Sequence, residues 1–368
     1  MTVRNLSAVV LAAGEGTRMR STRPKPLHRL CGRPMVLYVL DALADCTVDK
    51  AVVVVGHGAE RVTKKLQEAT GELRLEFVEQ HIQRGTGDAV SVGLTAFAED
   101  DLDEGDDVLV LPGDTPLLRP ATIAALVAQH RQSGAACTLL TARLEDPTGY
   151  GRVVRGRDDR LARVVEHRDA TPDELAIDEV NTSIYCFRRS VLAPALRRIS
   201  PDNSQGEYYL TDVIAVLHDA GYPMAAVVTG DAGETAGVND RVQLATAEAE
   251  LRRRTNQYWL RQGVSIVDPA SAYVDVTVRL APDVTLFPGV VLQGDTVIGV
   301  GAEIGPETRL TDCRVGEWAV VEKTTGRSAD IGDGAEVGPF AFLEPGSVIP
   351  AGHRTGPFYT ARGEEASL

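Results

Sequence analysis

The chain has 368 residues and a formal net charge of −14, with 24% charged and 43% hydrophobic residues. That length accommodates two domains, and the acidic balance argues against a nucleic-acid polymer as partner. No apolar run approaches a membrane span and the start lacks a basic-then-apolar signal, so no membrane partner and a cytoplasmic location are expected. Cys31, Cys46, Cys137, Cys186 and Cys313 are scattered without metal-ligand spacing, which predicts buried free thiols rather than a zinc site or disulfides.

From residue 1 to about 230, short aliphatic runs alternate with amphipathic stretches. Strands are predicted at Ala8–Leu11, Ala51–Val55, Leu75–Val78, Val108–Leu111 and Cys137–Thr141. Helices fall between them, near 34–45, 58–69, 86–98 and 120–132. This βαβ rhythm predicts an α/β, Rossmann-like parallel sheet with helices on both faces. After Ala142 strand-like pieces at 152–155, 162–166 and 179–187 crowd together, as in a mixed sheet edge or lid. Residues 240–262 read as one long helix, either a rigid arm between two domains or a helix packed on the first.

Beyond residue 264, aliphatics recur every sixth position at Val274, Leu280, Leu286, Leu292, Ile298, Ile304 and Leu310. The phase slips by one at Val315, resumes at Val321, breaks over the polar stretch 322–330 and restarts at Ile331, Val337, Leu343 and Ile349. Neither a helix nor a flat strand has period six, whereas a parallel β-helix of hexapeptide repeats does. The expected order is a nucleotide-type domain over 1–239, a linker helix over 240–262, a short β-helix of about four coils over 263–352 and a polar tail over 353–368.

The chemistry concentrates after the first strand, where residues 11–26 hold Gly14, Gly16, Arg18 and Lys25. Backbone N–H groups of such a loop can face an anion, and the two cations can reach the same phosphate chain. A Walker loop is excluded because Gly16 is followed by Thr17 and Arg18. The dinucleotide fingerprint is excluded because Met19 stands at its third glycine. A bare tight turn explains two glycines equally well; Arg18, Pro24 and Lys25 at these spacings favour a triphosphate site. Asp114 ends a predicted strand, where it can hold Mg²⁺ or simply form an Asx-turn or helix cap. Gln80 has both a donor and an acceptor for a pyrimidine edge, although the loop after it also reads as a helix entry capped by Thr86. Glu166 and Asn181 lie in the irregular region and suit sugar hydroxyls, although each taken singly also reads as a turn or surface residue. Asn239 is either a helix cap or a metal ligand. No Ser-His-Asp order or nucleophilic cysteine is evident, which suits phosphoryl-type transfer by positioning and charge neutralisation.

Taken in order, these motifs resemble a family. The opening loop, Gln80 with Gly85-Thr86-Gly87, Gly113-Asp114, Gly149-Tyr150-Gly151-Arg152, Val165-Glu166-His167, Val180-Asn181-Thr182, the run from Gln205 to Asp212, and Gly237-Val238-Asn239 are similar to the uridylyltransferase half of the bacterial bifunctional N-acetylglucosamine-1-phosphate uridylyltransferase/glucosamine-1-phosphate acetyltransferases. The resemblance covers residues 6–350. It implies a glycosyltransferase A-type nucleotidyltransferase domain, a helical arm and a left-handed parallel β-helix that assembles a homotrimer. It implies that Leu11, Ala12, Ala13, Gly14, Gly16 and Thr17 hold UTP together with Gln80, Gly85 and Thr86, the last three on uracil. Arg18 and Lys25 then neutralise the triphosphate and its transition state, Asp114 and Asn239 bind Mg²⁺, and Gly151, Glu166, Asn181 and Thr211 hold the sugar 1-phosphate.

Three departures stand out. Asp88 replaces the family's histidine after Gly85-Thr86-Gly87, and Ser183 stands where glycine or alanine is usual beside the sugar pocket. The short β-helix carries Glu344 in place of an arginine in Leu343-Glu344-Pro345-Gly346, and Phe358-Tyr359-Thr360-Ala361-Arg362 in place of a lysine-bearing segment. The expected activity is therefore UTP-dependent uridylyl transfer to N-acetylglucosamine 1-phosphate without acetyl transfer. The alternatives are another sugar phosphate or nucleotide, and a non-catalytic β-helix subunit.

Overall fold

The computed structural model describes residues 5–68, 73–97, 106–156 and 159–363. The ends of the expected helices at residues 69 and 98, and residues 364–368 of the expected tail, lie outside the described residues. The chain groups into two units, one of residues 1–28 and 34–244 and the other of residues 29–33 and 245–368.

The first half of the chain runs β1 (Leu6–Ala12), β2 (Arg29–Leu30), β3 (Arg33–Pro34), α1 (Met35–Ala44), β4 (Lys50–Val55), α2 (Ala59–Gln67), β5 (Leu75–Glu79), α3 (Thr86–Leu94), β6 (Asp107–Pro112) and α4 (Pro120–Ser133). It continues with β7 (Cys137–Arg143), β8 (Arg152–Arg155), β9 (Leu161–Val165), α5 (Pro172–Leu175), β10 (Glu179–Arg188), α6 (Arg189–Leu196), α7 (Asp212–Asp219), β11 (Met224–Val228) and α8 (Arg241–Arg261). Local chemistry sets several ends. Pro120 opens α4, where its missing N–H costs nothing, and Gly134 closes it at φ 61°.

The main sheet has the order β11-β7-β10-β6-β1-β4-β5, with β8 on β10 and β9 on β8. Strands β6, β1, β4 and β5 are mutually parallel, as the βαβ rhythm predicts. Strand β10 differs from expectation: it lies inside the sheet, antiparallel to both β6 and β7, rather than at its edge. Its length and nearly continuous burial suit an interior strand, while the bulge between Asn181 and Ile184 redirects the chain. Alternate residues of β1 feed two cores, one on each face of the sheet. Ala8 and Val10 enter one, and Val9 enters the other.

This topology fixes where a ligand can sit. Strands β4 and β5 extend the sheet from one side of β1, and β6 joins on the other. The carboxyl ends of β1 and β6 therefore flank the point where strand order reverses, the usual crevice of open α/β sheets.

In the second unit, parallel two- and three-residue strands stack in three ladders, forming a left-handed β-helix. Leu286 pairs with Ile304, Leu292 with Leu310 and Leu280 with Ile298, which gives the period-six aliphatics their inward positions. Among the described residues two ladders have five strands and the third has six, so the helix completes five coils rather than about four. The miscount comes from residues 322–330, which form part of a coil instead of interrupting it. Thr325–Arg327 is a strand with Gly326 turned inward between Leu310 and Leu343. A glycine carries no hydrophobic signal, so the pattern lapses where the coil does not. At its start the core packs against Trp259 of α8, and Asn256 donates to the carbonyls of Pro269 and Ala272 at 2.9 and 3.0 Å.

Candidate active site

Strand β1 runs out into Leu11–Gly14, and Gly113 N after β6 donates to Leu11 O at 2.8 Å, tying the two strand ends together. A Cβ added to Gly14 would meet nothing within 4 Å, so its backbone borders open space. Gly16 has φ 64°, and a Cβ there would stand 2.7 Å from Cβ of Lys25. Glycine at this position lets the Lys25 stem pass close to the loop. No long helix follows; Thr17–Met19 and Lys25–Leu27 form short 3₁₀ turns.

Lys25 occupies the centre of the site. Its Nζ donates to Asp114 Oδ2 in a close ion pair, and to Asn239 Oδ1 at 2.8 Å. Arg18 Nη2 donates to the same Asn239 oxygen at 3.0 Å. Both sequence alternatives for Asn239 and Asp114 are thereby narrowed. Asp240 caps α8, accepting from Val242 N and Gln243 N, while Asn239 turns its oxygen to the two cations. Arg119, not Asp114, is the N-cap of α4. Two hard oxygens converge on one ammonium here, and Gly237 borders both side chains, nearest Asp114 Oδ1 and Asn239 Nδ2, without a side chain of its own. That donor set fits a small oxygen-loving divalent cation completed by substrate phosphates.

These residues line a cleft of ≈ 460 Å³. Leu11, Ala12, Ala13, Gly14, Lys25, Gln80, Gly85, Thr86, Asp114, Gly151, Glu166, Asn181 and Asn239 all reach its wall. Four other sequence-predicted residues stand behind it. Gly16 backs Lys25, and Arg18 meets Asn239. Thr17 sits in the first 3₁₀ turn, and Thr211 is buried, its hydroxyl donating to Glu166 Oε1 at 3.0 Å.

The loop before α3 is shaped by a distant segment. Tyr208 N donates to Arg84 O and Gly87 N to Tyr208 O, each at 2.8 Å, and Thr86 Oγ1 accepts from Leu210 N at 3.0 Å. Thr86 therefore holds the 207–210 segment instead of capping α3, whose N-cap is Gly85. This gives the run from Gln205 to Asp212 its structural purpose.

On the far wall, burial pushes the Glu166 carboxyl above its usual range. The Thr211 hydroxyl opposes that shift, and the charges of Asp212, Asp169 and Glu207 add to it. Asn181 Nδ2 donates to the buried Tyr185 hydroxyl at 2.7 Å, and Asn181 Oδ1 accepts from Ser183 N at 3.3 Å. Ser183 itself takes φ 62° in the β10 bulge and lines the cleft. Sequence reading missed Gln83, whose Nε2 donates to Ala13 O at 2.6 Å and which also lines the cleft. Its position between Gln80 and Gly85 was the available signal.

A phosphate-type loop at a sheet's switch point, facing a carboxylate and an amide oxygen across two cations, defines a nucleotidyltransferase. The model of the MobA-like NTP transferase domain matches residues 8–220. Similarity then extends along nearly the whole chain to the bifunctional protein GlmU. The Desulfitobacterium hafniense (strain DSM 10664 / DCB-2) protein is 45% identical over 96% of this chain and 75% of its own length. That of Streptomyces coelicolor is 46% identical over 98% of this chain and 74% of its own length, and that of Nocardia farcinica 46% over 96% and 71%. The chain belongs to the GlmU family. No helix among the described residues is long and apolar enough to cross a membrane.

Proposed function

We propose that the chain is a Mg²⁺-dependent sugar-1-phosphate uridylyltransferase that converts UTP and N-acetylglucosamine 1-phosphate to UDP-N-acetylglucosamine and pyrophosphate in the cytoplasm. The observation that carries this reading is the convergence of Asp114 and Asn239 on Lys25 beside the Leu11–Gly14 backbone. Asp114 and Asn239 hold the Mg²⁺, which when bound supplies charge neutralisation at the triphosphate. Lys25 and Arg18 offset the charge on the phosphates. Gln80, Gly85 and Thr86 hold the uracil. Gly151, Glu166 and Asn181 orient the sugar phosphate, with Thr211 holding Glu166. A phosphate oxygen of the sugar phosphate forms the new bond to the α-phosphorus; the bond to the β-bridging oxygen breaks, and pyrophosphate leaves with that electron pair. Pyrophosphate release from UTP, Mg²⁺ and a panel of sugar 1-phosphates tests the assignment, and no release with any of them defeats it.

Ser183 supports a second reading with a different sugar phosphate, because a hydroxyl at the cleft wall adds a hydrogen-bonding group there. Relative kcat/KM across the same panel decides between the two. Acetyl transfer is left out of the assignment because Glu344 and the Phe358–Arg362 segment depart from the family pattern. The β-helix is proposed to form a homotrimer; exposed Trp318, Phe342 and the stacked pair Phe340 and Phe358 offer apolar surface for it, and the mass from light scattering decides.

Glu166 gives the reaction a pH signature. Its carboxyl is raised above 4.5, so it takes up its proton sooner than an ordinary glutamate as pH falls. The ionised form accepts from sugar hydroxyls. KM for the sugar phosphate is thus expected to rise as pH falls through the raised value, and Glu166→Gln to flatten that limb. The stability contribution has the opposite sense: ionised Glu166 opposes folding, and this opposition fades as the pH is lowered. A KM profile that is the same in wild type and Glu166→Gln would contradict the role.

A further inference from the structure

Gln80 is a nucleotide-facing side chain whose two ends are chemically opposite, since its amide nitrogen only donates and its carbonyl only accepts. Nε2 donates to Asp88 Oδ2 at 2.8 Å and to the Gly85 carbonyl at 3.3 Å. Both partners are acceptors. Turning the amide over would set Oε1 against them and leave Oε1 and Asp88 Oδ2 facing each other with no donor between them, while the Gly85 carbonyl keeps only its bond from Ala89 N. Asp88 is braced in turn: Arg84 Nη2 donates to its other oxygen at 2.9 Å, and only 11% of the Asp88 side chain is exposed. Gln80 is 5% exposed and lines the cleft; among the described residues no donor meets its Oε1, which is not sealed off.

We propose that Asp88 is a specificity-determining positioning residue: with Arg84 behind it, Asp88 locks Gln80 so that only the carbonyl Oε1 faces the base, selecting a pyrimidine that presents an N–H at ring position 3. This rests on the uridylyltransferase reading of the site. Uracil has that N–H, whereas cytosine has an unprotonated nitrogen there, which an opposing carbonyl repels. The carboxylate that replaces the family's histidine thus turns its charge toward Gln80 and Arg84 and acts on the nucleotide through the amide. An asparagine at position 88 can present either an oxygen or an NH₂ group, so Gln80 is free to turn with it and offer Nε2 to cytosine.

The test is kcat/KM for UTP and for CTP, with N-acetylglucosamine 1-phosphate and Mg²⁺, in wild type, Asp88→Asn and Asp88→Ala. The UTP-to-CTP ratio is expected to fall about tenfold or more in both variants, because a base edge facing a mismatched polar group is strongly rejected and the mismatch is relieved here. The loss with UTP should appear in KM rather than kcat, as befits a residue that orients another. Thermal midpoints establish folding, and Asp88→Ala carries the comparison if Asp88→Asn does not fold. An unchanged ratio in a folded variant, with wild type active on UTP, overturns the role of Asp88 alone. Absence of wild-type turnover with UTP overturns the uridylyltransferase reading and this proposal with it.

Discussion

Asp114→Ala is expected to lower kcat/KM for pyrophosphate release by about 10³-fold, the scale on which a single preorganised charge-stabilising group acts in transfer reactions. The substitution removes the sole carboxylate of the Asp114–Asn239 pair. It also releases Lys25, whose Nζ then retains, among the described residues, the Asn239 oxygen at 2.8 Å. Both consequences point the same way: the proposed metal site loses its carboxylate, and Lys25 loses the partner that fixes its position beside Gly16. Asp114→Asn separates them, because it keeps an oxygen for the site while removing the charge; its loss should be smaller, and raised Mg²⁺ should restore part of the rate. Folding should be little affected, since the pair lies at the cleft wall and Asp114 stays 20% exposed. Steady-state pyrophosphate release across a Mg²⁺ titration is the measurement. Activity within tenfold of wild type in Asp114→Ala would remove Asp114 from the machinery.

The second large effect is expected at Gly85. Its φ is 108°, and an added Cβ would stand 2.6 Å from Tyr208 O and 2.9 Å from Tyr208 N. Both obstacles are backbone, held by the hydrogen bonds joining Arg84 and Gly87 to Tyr208, so neither can swing aside. Gly85→Ala should cost about 1–3 kcal/mol for the backbone conformation alone, with the clash added. For a domain of this size the midpoint should drop by about 5 °C or more. Nucleotide KM should rise as well, because the Gly85 carbonyl helps hold Gln80. Gly134→Ala is the internal comparison. Gly134 has φ 61°, but a Cβ there meets nothing within 4 Å. It should show a smaller thermal loss and normal nucleotide KM. Equal behaviour of the two variants in differential scanning calorimetry and kinetics would refute the clash argument.

Much of the fold was legible because its signals are local. The buried run of β1, the helix stretches between strands and the period-six aliphatics each lie within a few residues of one another. Strand order is not local. Nothing within residues 179–188 says that β10 enters between β6 and β7, because that depends on partners far along the chain. Gly326 escaped for the opposite reason: a glycine in an inward slot leaves no hydrophobic trace. In the site, Lys25, Asp114 and Asn239 were each singled out, yet their meeting joins positions 89 and 214 residues apart, which no spacing rule reaches. Asp88 was visible as an oddity of the sequence. Which way its charge turns could be read only from Gln80 and Arg84 around it.

The hairpin Arg29–Arg33 groups with the β-helix unit although it lies early in the chain, so the polypeptide passes between the two units at 28/29, 33/34 and 244/245. Within that unit Cys31 N donates to Glu248 Oε2 at 2.8 Å and Cys31 O accepts from Val276 N at 3.1 Å. No single cut therefore frees the catalytic unit intact. A fragment trimmed near residue 240 would carry this hairpin along after losing both of those partners, with Leu30 and Cys31 no longer assured of their burial. The remedy for anyone expressing that fragment is written nearby: Met35 N already donates to His28 O at 2.8 Å. Those two ends are neighbours, and a short splice across them could replace the hairpin altogether.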